Sequence, residues 1–150
     1  MDNSTTGATP EPNPGPTPGG EVALLKIGEV AERVGLSLRT IRFYEEEGLV
    51  VPESRTSGGF RLYSITAVNR LELVKAMKPL GFTVEEMVEV LGVLDALEDS
   101  ALDPQQRAAL ADKVDAYRVG VETKSADLLA KAARGREFGQ HLRDVAGQNR

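Results

Sequence analysis

The sequence predicts a mainly α-helical protein, with a winged helix-turn-helix domain followed by one long C-terminal helix. Three observations carry that expectation. Two short helical patterns are separated by only three or four residues around Gly35, and so short a glycine-containing connection marks a helix-turn-helix. Directly afterwards, residues 49–63 break the helical period, as a β-ribbon wing does. From Asp103 to about Val145 no proline interrupts, and apolar residues recur on a 3.5-residue repeat.

The elements follow in order along the 150 residues. Residues 1–20 hold five of the eight prolines, at every second position from Pro10 to Pro18, together with four glycines. Such a segment buries too little apolar surface to offset its ordering entropy, so it reads as a disordered or polyproline-like arm. The compact domain is expected over 24–95, where five of the seven aromatics fall between Phe43 and Phe82. A helix over 28–34 stops at Gly35. Ser37 caps a second helix, LRTIRFYEEEG, which ends at Gly48. Val30, Ala31, Val34, Leu38 and Ile41 fall at helical spacings and form the candidate core of this pair.

In the wing, LVV and FRLY are the expected strands, and ESRTSGG is the loop between them. Ser64 caps a third helix through Lys78, whose candidate buried positions are Ile65, Val68, Leu71, Val74, Ala76 and Met77. Pro79 and Gly81 end it. Thr83 and Glu86 form a capping box for a fourth helix with a stripe of Val84, Met87, Val88, Leu91 and Leu94.

Asp103-Pro104-Gln105-Gln106 starts the last helix, with an N-cap, a proline at the first position and a second capping box. Steps of four and three from Leu110 place Leu110, Val114, Tyr117, Val121, Leu128, Phe138, Leu142 and Val145 on one seam over 103–147. Some 40 helical residues span roughly 60 Å, more than the rest of the chain can cover. A coiled coil with a second copy is therefore expected, the alternative being a helix folded back on its own domain. Gly120, Gly135 and Gly139 weaken this helix, so fraying or bending is expected towards its distal end.

Charge and composition narrow the function. The formal net charge is −5, which excludes a generic polycation. Its distribution is uneven: −2 over 1–20, +1 over 21–80 and −4 over 81–150. The only basic stretch is thus central. With no cysteine there is no disulfide, thiolate metal site or thiol switch, and a single His141 makes no zinc cluster. No apolar run is long enough for a transmembrane helix or a secretion signal, so a cytoplasmic protein without membrane contact is expected. No nucleophile–base pair, phosphate-cradling loop or paired catalytic carboxylates stands out, and neither enzyme activity nor a cofactor is expected.

Chemistry concentrates in Arg39-Thr40-Ile41-Arg42-Phe43-Tyr44. Arg39 and Arg42, three apart, share one face of the second helix. A guanidinium reads guanine edges bidentately or clamps phosphate. Tyr44 extends a hydroxyl that phosphate can accept from. Arg55 and Arg61, flanked by Phe60 and Tyr63, suggest a backbone-gripping hairpin on the wing. Glu45, Glu46 and Glu47 read as a solvated helix end.

These residues also carry a resemblance. IGEVAERVGLSLRTIRFYEEEGLVVPESRTSGGFRLYS, with the later KPLGFTVEEM, resembles the DNA-binding domain of the MerR family of bacterial transcription regulators over about 27–95. The resemblance implies a homodimer joined by an antiparallel coiled coil and a pseudo-palindromic promoter operator. It also implies DNA distortion that lets RNA polymerase holoenzyme engage. By it, Arg39, Arg42 and Tyr44 match recognition-helix positions that touch DNA, with Thr40 near a base or phosphate. Arg55, Arg61 and Tyr63 match wing positions on the backbone, and Leu110, Val114, Tyr117, Val121 and Leu128 belong to the dimer seam. Phe60 stands where many members have Tyr, so a hydroxyl contact is missing there.

The absence of cysteine departs from the metal- and redox-sensing members. The 47 residues after Asp103 are too few for a large drug-binding domain. An effector, of unknown identity, would then bind at the dimer helices or in a small pocket near Phe138, His141 and Leu142; packing in the seam beside an exposed histidine is the plainer account of those three. The competing function is a protein-interaction adaptor that keeps the fold and has lost strong DNA binding. Net acidity favours it, and the four arginines oppose it.

Overall fold

The computed structural model describes residues 23–150. The proline-rich segment read as an arm over 1–20 lies outside them. The elements are β1 (Leu25–Lys26), α1 (Ile27–Val34), α2 (Leu38–Glu46), β2 (Ser54–Arg55), β3 (Arg61–Tyr63), α3 (Ile65–Met77), a 3-10 turn (Lys78–Leu80), α4 (Val84–Leu97) and α5 (Pro104–Gln148). A small antiparallel sheet has the order β1-β3-β2, so the last strand is central.

Local chemistry accounts for the helix boundaries. Gly35 ends α1 at φ 68°, where a side chain would be strained. Its N–H and that of Leu36 both donate to the Ala31 carbonyl, at 2.9 and 3.2 Å. Ser37 caps α2 by accepting from the Thr40 N–H at 3.0 Å. Ser64 does the same for Ala67 at the start of α3. The capping boxes of Thr83 with Glu86 and Asp103 with Gln106 are both formed.

The core joins α1, α2 and α3 to the sheet and to α4. Val30, Ile41, Leu49, Tyr63 and Leu71 are fully buried at its centre. Four expected core positions lie outside it: Leu38, Ile65 and Val88 are each about two-fifths exposed, and Ala76 is exposed as well. Ala67 and Val93 are buried in their stead. The wing also differs from the expectation. Leu49 and Val50 are buried but form no strand, because the Leu49 N–H returns to the Tyr44 carbonyl at 2.9 Å and closes the end of α2. The third strand comes instead from Leu25–Lys26, which pairs with Tyr63 and Leu62.

α5 is a single 45-residue helix, unbroken at Gly120, Gly135 and Gly139. It runs back along α4. Arg107 donates to the carbonyls of Leu97 and Asp99 at 2.9 and 2.8 Å, and the Tyr117 hydroxyl donates to Glu89 Oε1 at 2.9 Å. The Lys124 ammonium reaches Phe82, 5.3 Å from the ring centroid. Leu110, Val114, Tyr117 and Val121 are accordingly half-buried within one chain. Beyond them α5 leaves the domain, and Leu128, Phe138, Leu142 and Val145 are 41–63% exposed. The first half of α5 thus packs along its own domain and keeps part of its stripe open, while the second half stands exposed.

Arg70 ties three elements together. Its Nε donates to the Leu49 carbonyl at 2.5 Å, and Nη1 donates to both Asp95 oxygens at 2.6 and 2.7 Å. Asp95 is 59% exposed whereas Arg70 is 23% exposed, so the carbonyl bond should outweigh the solvated ion pair. Arg70→Met should cost about 1–3 kcal/mol, and Asp95→Asn less than about 1 kcal/mol. Urea unfolding of both variants checks the order; equal losses would place the energy in the ion pair.

Candidate nucleic-acid interface

The second helix of the helix-turn-helix turns its apolar side inward through Ile41 and Tyr44. That leaves Arg39, Arg42, Phe43 and Glu46 outward, spaced three and four apart. They line one open cleft of about 490 Å³. Among the described residues neither Arg39 nor Arg42 makes an ion pair, so both guanidinium groups stay available to a partner. Phe43 is 44% exposed between them, an aromatic edge suited to a thymine methyl. Sequence reasoning passed over Phe43 and Glu46. The spacing from Arg39 and Arg42 places both on the arginine face and was the signal that could have found them.

Thr40 is half-buried, and its hydroxyl lies 2.8 Å from that of Ser37, so it serves the helix cap. The Tyr44 ring is a core side chain, 4% exposed, tilted at 49° to Phe43 with centroids 5.7 Å apart. Among the described residues its hydroxyl has no hydrogen-bond partner, yet no buried side-chain oxygen or nitrogen is left unpartnered there. The hydroxyl must therefore reach the surface. The body of Tyr44 belongs to the core, and its tip alone is open to a ligand.

The wing is a tight hairpin. The Thr56 N–H donates to the Phe60 carbonyl at 2.8 Å and the Phe60 N–H to Thr56 Oγ1 at 3.1 Å, with Gly59 at φ 82°. Register places Arg55 directly opposite Arg61. Like charges so placed destabilise a strand pair. Glu45 relieves this pair: it accepts from Arg61 Nε at 2.8 Å and from the Tyr63 hydroxyl at 2.7 Å. Arg55 remains exposed and makes no ion pair among the described residues, and Phe60 projects from the hairpin at 68% exposure.

Two expectations are corrected here. Tyr63 is fully buried and its hydroxyl is consumed by Glu45, so it cannot contact a DNA backbone. Arg61 shares its strand face and gives its Nε to Glu45, but its side chain stays 31% exposed, so its expected place at a DNA backbone is not altered by this contact. The reason for the burial of Tyr63 is layer packing: β3 lies against α1 and α3, and Glu45 of α2 closes over the face that carries both residues. Nor is Glu45 a solvated helix end, since its side chain is only 17% exposed.

The titration behaviour follows. Burial alone would raise the Glu45 carboxyl, but the hydrogen bonds from Arg61 and Tyr63 outweigh it and hold the group below 4.5. The Tyr63 hydroxyl is pushed well up by burial and by the Glu45 carboxylate, so it remains a donor.

The fold and site geometry meet an independent comparison. A model of the MerR HTH family regulatory protein matches residues 25–92, the sheet, wing and first four helices. The mercuric resistance operon regulatory protein of Bacillus cereus is 44% identical over 78 residues, covering 52% of this chain and 59% of its own length. The HTH-type transcriptional regulator YfmP of Bacillus subtilis (strain 168) is 40% identical over 97 residues, covering 60% of this chain and 69% of its own. The chain belongs to the MerR family. Its match thus spans about six to seven tenths of the length of these curated relatives. Among solved structures, HiNmlR, a MerR family regulator lacking the sensor domain and bound to promoter DNA, shares the fold. It has a TM-score of 0.57 at 19% identity, over 79% of this chain and 86% of that one.

In this MerR-family chain, Glu45 should fasten the reading helix to the wing through its charge. Glu45→Gln should cost about 1–3 kcal/mol at neutral pH. Because the folded carboxyl titrates below its unfolded value, the wild-type advantage is fully present above about pH 4.5 and is lost as pH falls through the lowered value. Urea unfolding along an acid series should show the two proteins converging as Glu45 protonates; a gap that persists once the carboxyl is protonated would mean the charge is not its source.

Proposed function

We propose that this chain is a sequence-specific transcription regulator that binds promoter DNA as a homodimer. In this reading α2 lies in the major groove, where Arg39 and Arg42 read base edges and Phe43 contacts a thymine methyl. Arg55 grips the backbone from the wing, with the Tyr44 hydroxyl at the edge of the reading helix. The observation that carries the reading is the pair of unpaired, exposed guanidinium groups of Arg39 and Arg42 on the outer face of the second helix of a helix-turn-helix. Regulators such as YfmP at 40% identity support it. On a chain of net charge −5, this local cationic face governs the encounter.

The second half of the proposal concerns assembly. A two-fold protein implies a two-fold, pseudo-palindromic operator. The distal stripe of α5, from Leu128 through Phe138 and Leu142 to Val145, is the surface proposed to meet a second copy. The family further suggests promoter distortion that engages RNA polymerase holoenzyme. Mercury does not transfer from the relative's name, because this chain offers no thiolate, the soft ligand such a metal selects. The domain bounds that go with this reading are 24–95 for DNA and 103–147 for the dimer.

Two experiments test it. Fragments selected from the source genome by the purified protein supply the operator, and salt-dependent titrations then compare variants on operator and scrambled DNA. Arg42→Ala should cost about 1–3 kcal/mol and relax sequence preference. Arg55→Ala should weaken both DNAs alike and reduce the salt slope by about one unit per subunit. A salt-independent affinity, or discrimination left intact by Arg42→Ala, would favour the adaptor reading.

For the dimer, Leu128→Asp and Phe138→Asp change residues that are exposed in a single chain, so folding should persist while a charge enters the proposed seam. Sedimentation should show a wild-type dimer and dissociated variants. A wild-type monomer, or a dimer unaffected by both changes, would sink the assignment.

A further inference from the structure

Where α5 runs back along α4, the two helices leave a cleft of about 210 Å³ lined by Phe82, Glu89, Val90, Tyr117, Gly120 and Lys124, with Glu86 at its rim. Three features distinguish it from a packing gap. The Lys124 ammonium lies over the Phe82 ring, 5.3 Å from the centroid, and makes no ion pair among the described residues. A cation thus already occupies the aromatic wall, held by the ring rather than by a carboxylate. Opposite, the Tyr117 hydroxyl donates to Glu89 Oε1 at 2.9 Å, which fixes a carboxylate beside the second aromatic. Finally, Gly120 stands inside a helix, where glycine is unfavourable, yet a Cβ there would meet nothing within 4 Å. Close packing does not require it; its missing side chain leaves the cleft open.

Two aromatic rings with nearby carboxylates form the recognition chemistry of a weakly hydrated organic cation. Glu86 and Glu89 against Lys124 leave the lining with one net negative charge, which disfavours an anion. No cluster of three metal-ligating side chains is present among the described residues, which leaves a small inorganic cation without a coordination shell.

We propose that this cleft binds a small alkylammonium ion, whose head group replaces the Lys124 ammonium over Phe82. Lys124 is then an internal plug carried by α5, and the incoming cation removes one of the ties between α5 and the base of the DNA-reading domain. That the ligand acts as an effector at a promoter rests on the function proposed above; that the cleft binds a cation does not.

Calorimetric titration of the full chain with choline, tetramethylammonium and the neutral isostere 3,3-dimethylbutanol tests the site. The two cations should bind and the isostere should not. Lys124→Met, which empties the cage, should tighten choline binding by roughly 3–30-fold. Phe82→Leu should weaken it about tenfold or more. Gly120→Leu fills the cleft with a good helix former and should abolish binding, with helicity by circular dichroism confirming that the variant folds.

Equal binding of the isostere, absence of choline binding in both wild type and Lys124→Met, or indifference to Phe82→Leu and Gly120→Leu would overturn the proposal. Titration of the same preparations with DNA separates the two readings. Cation binding lost while DNA binding stays intact overturns the cleft alone. Cation binding retained by a protein that ignores DNA overturns the promoter function alone.

Discussion

The Glu45 carboxylate is the constraint on which the proposed DNA-binding surface depends. It sits at the end of the reading helix and holds two groups of the central strand, Arg61 and Tyr63, within 2.8 Å. The angle between reading helix and wing is therefore set by a charge-assisted contact and not by apolar packing alone. The same contact divides labour among the arginines. Arg61 gives its Nε to Glu45, whereas Arg55, facing it across the hairpin, is exposed. A net-acidic protein thereby presents a few unpaired cations in fixed positions.

A second set of contacts joins that surface to the long helix. Arg107 anchors the start of α5 to the carbonyls at the end of α4, Arg70 links Asp95 of α4 to the Leu49 carbonyl, and Leu49 closes the end of α2. Each step is a hydrogen bond between packed elements, so the orientation of α5 is mechanically continuous with that of the reading helix. Coupling between two sites needs such a contiguous connection, though the connection alone does not establish it.

Most of the architecture could be read from local rules. Gly35, Ser37, Ser64, Thr83 with Glu86 and Asp103 with Gln106 mark helix ends through chemistry confined to a few residues, and these boundaries hold to within about one position. What escaped was non-local. Leu25–Lys26 is too short to announce a strand, yet it pairs with β3, and Glu45 of α2 closes over the face of β3 that carries Tyr63 and Arg61. Taken alone, FRLY reads as an outer ribbon and both side chains look free. Tyr44 misled for a related reason: a tyrosine beside arginines suggests phosphate chemistry, whereas its ring completes the core below Ile41. Glu45 could not be told from Glu46 and Glu47 by type. Only the packing of the wing against α2 separates one buried carboxylate from two solvated ones.

The seam of α5 shows the same limit in a more general form. A 3.5-residue repeat states that one face of a helix is apolar; it does not name what covers that face. Here the repeat passes from one partner to another along a single helix. As far as Lys124 the stripe is opposed by α4 and Phe82 of the same chain. From Leu128 onward none of the described residues covers it, and side chains as large as Phe138 stand more than half exposed. Forty-five residues at 1.5 Å each outrun a domain of this size, so no refolding of the chain on itself could cover both halves. The distal half is the surface proposed above to meet a second copy. The proximal half, partly covered and interrupted by Gly120, keeps a cleft beside Tyr117 and Lys124 where that face is not fully packed.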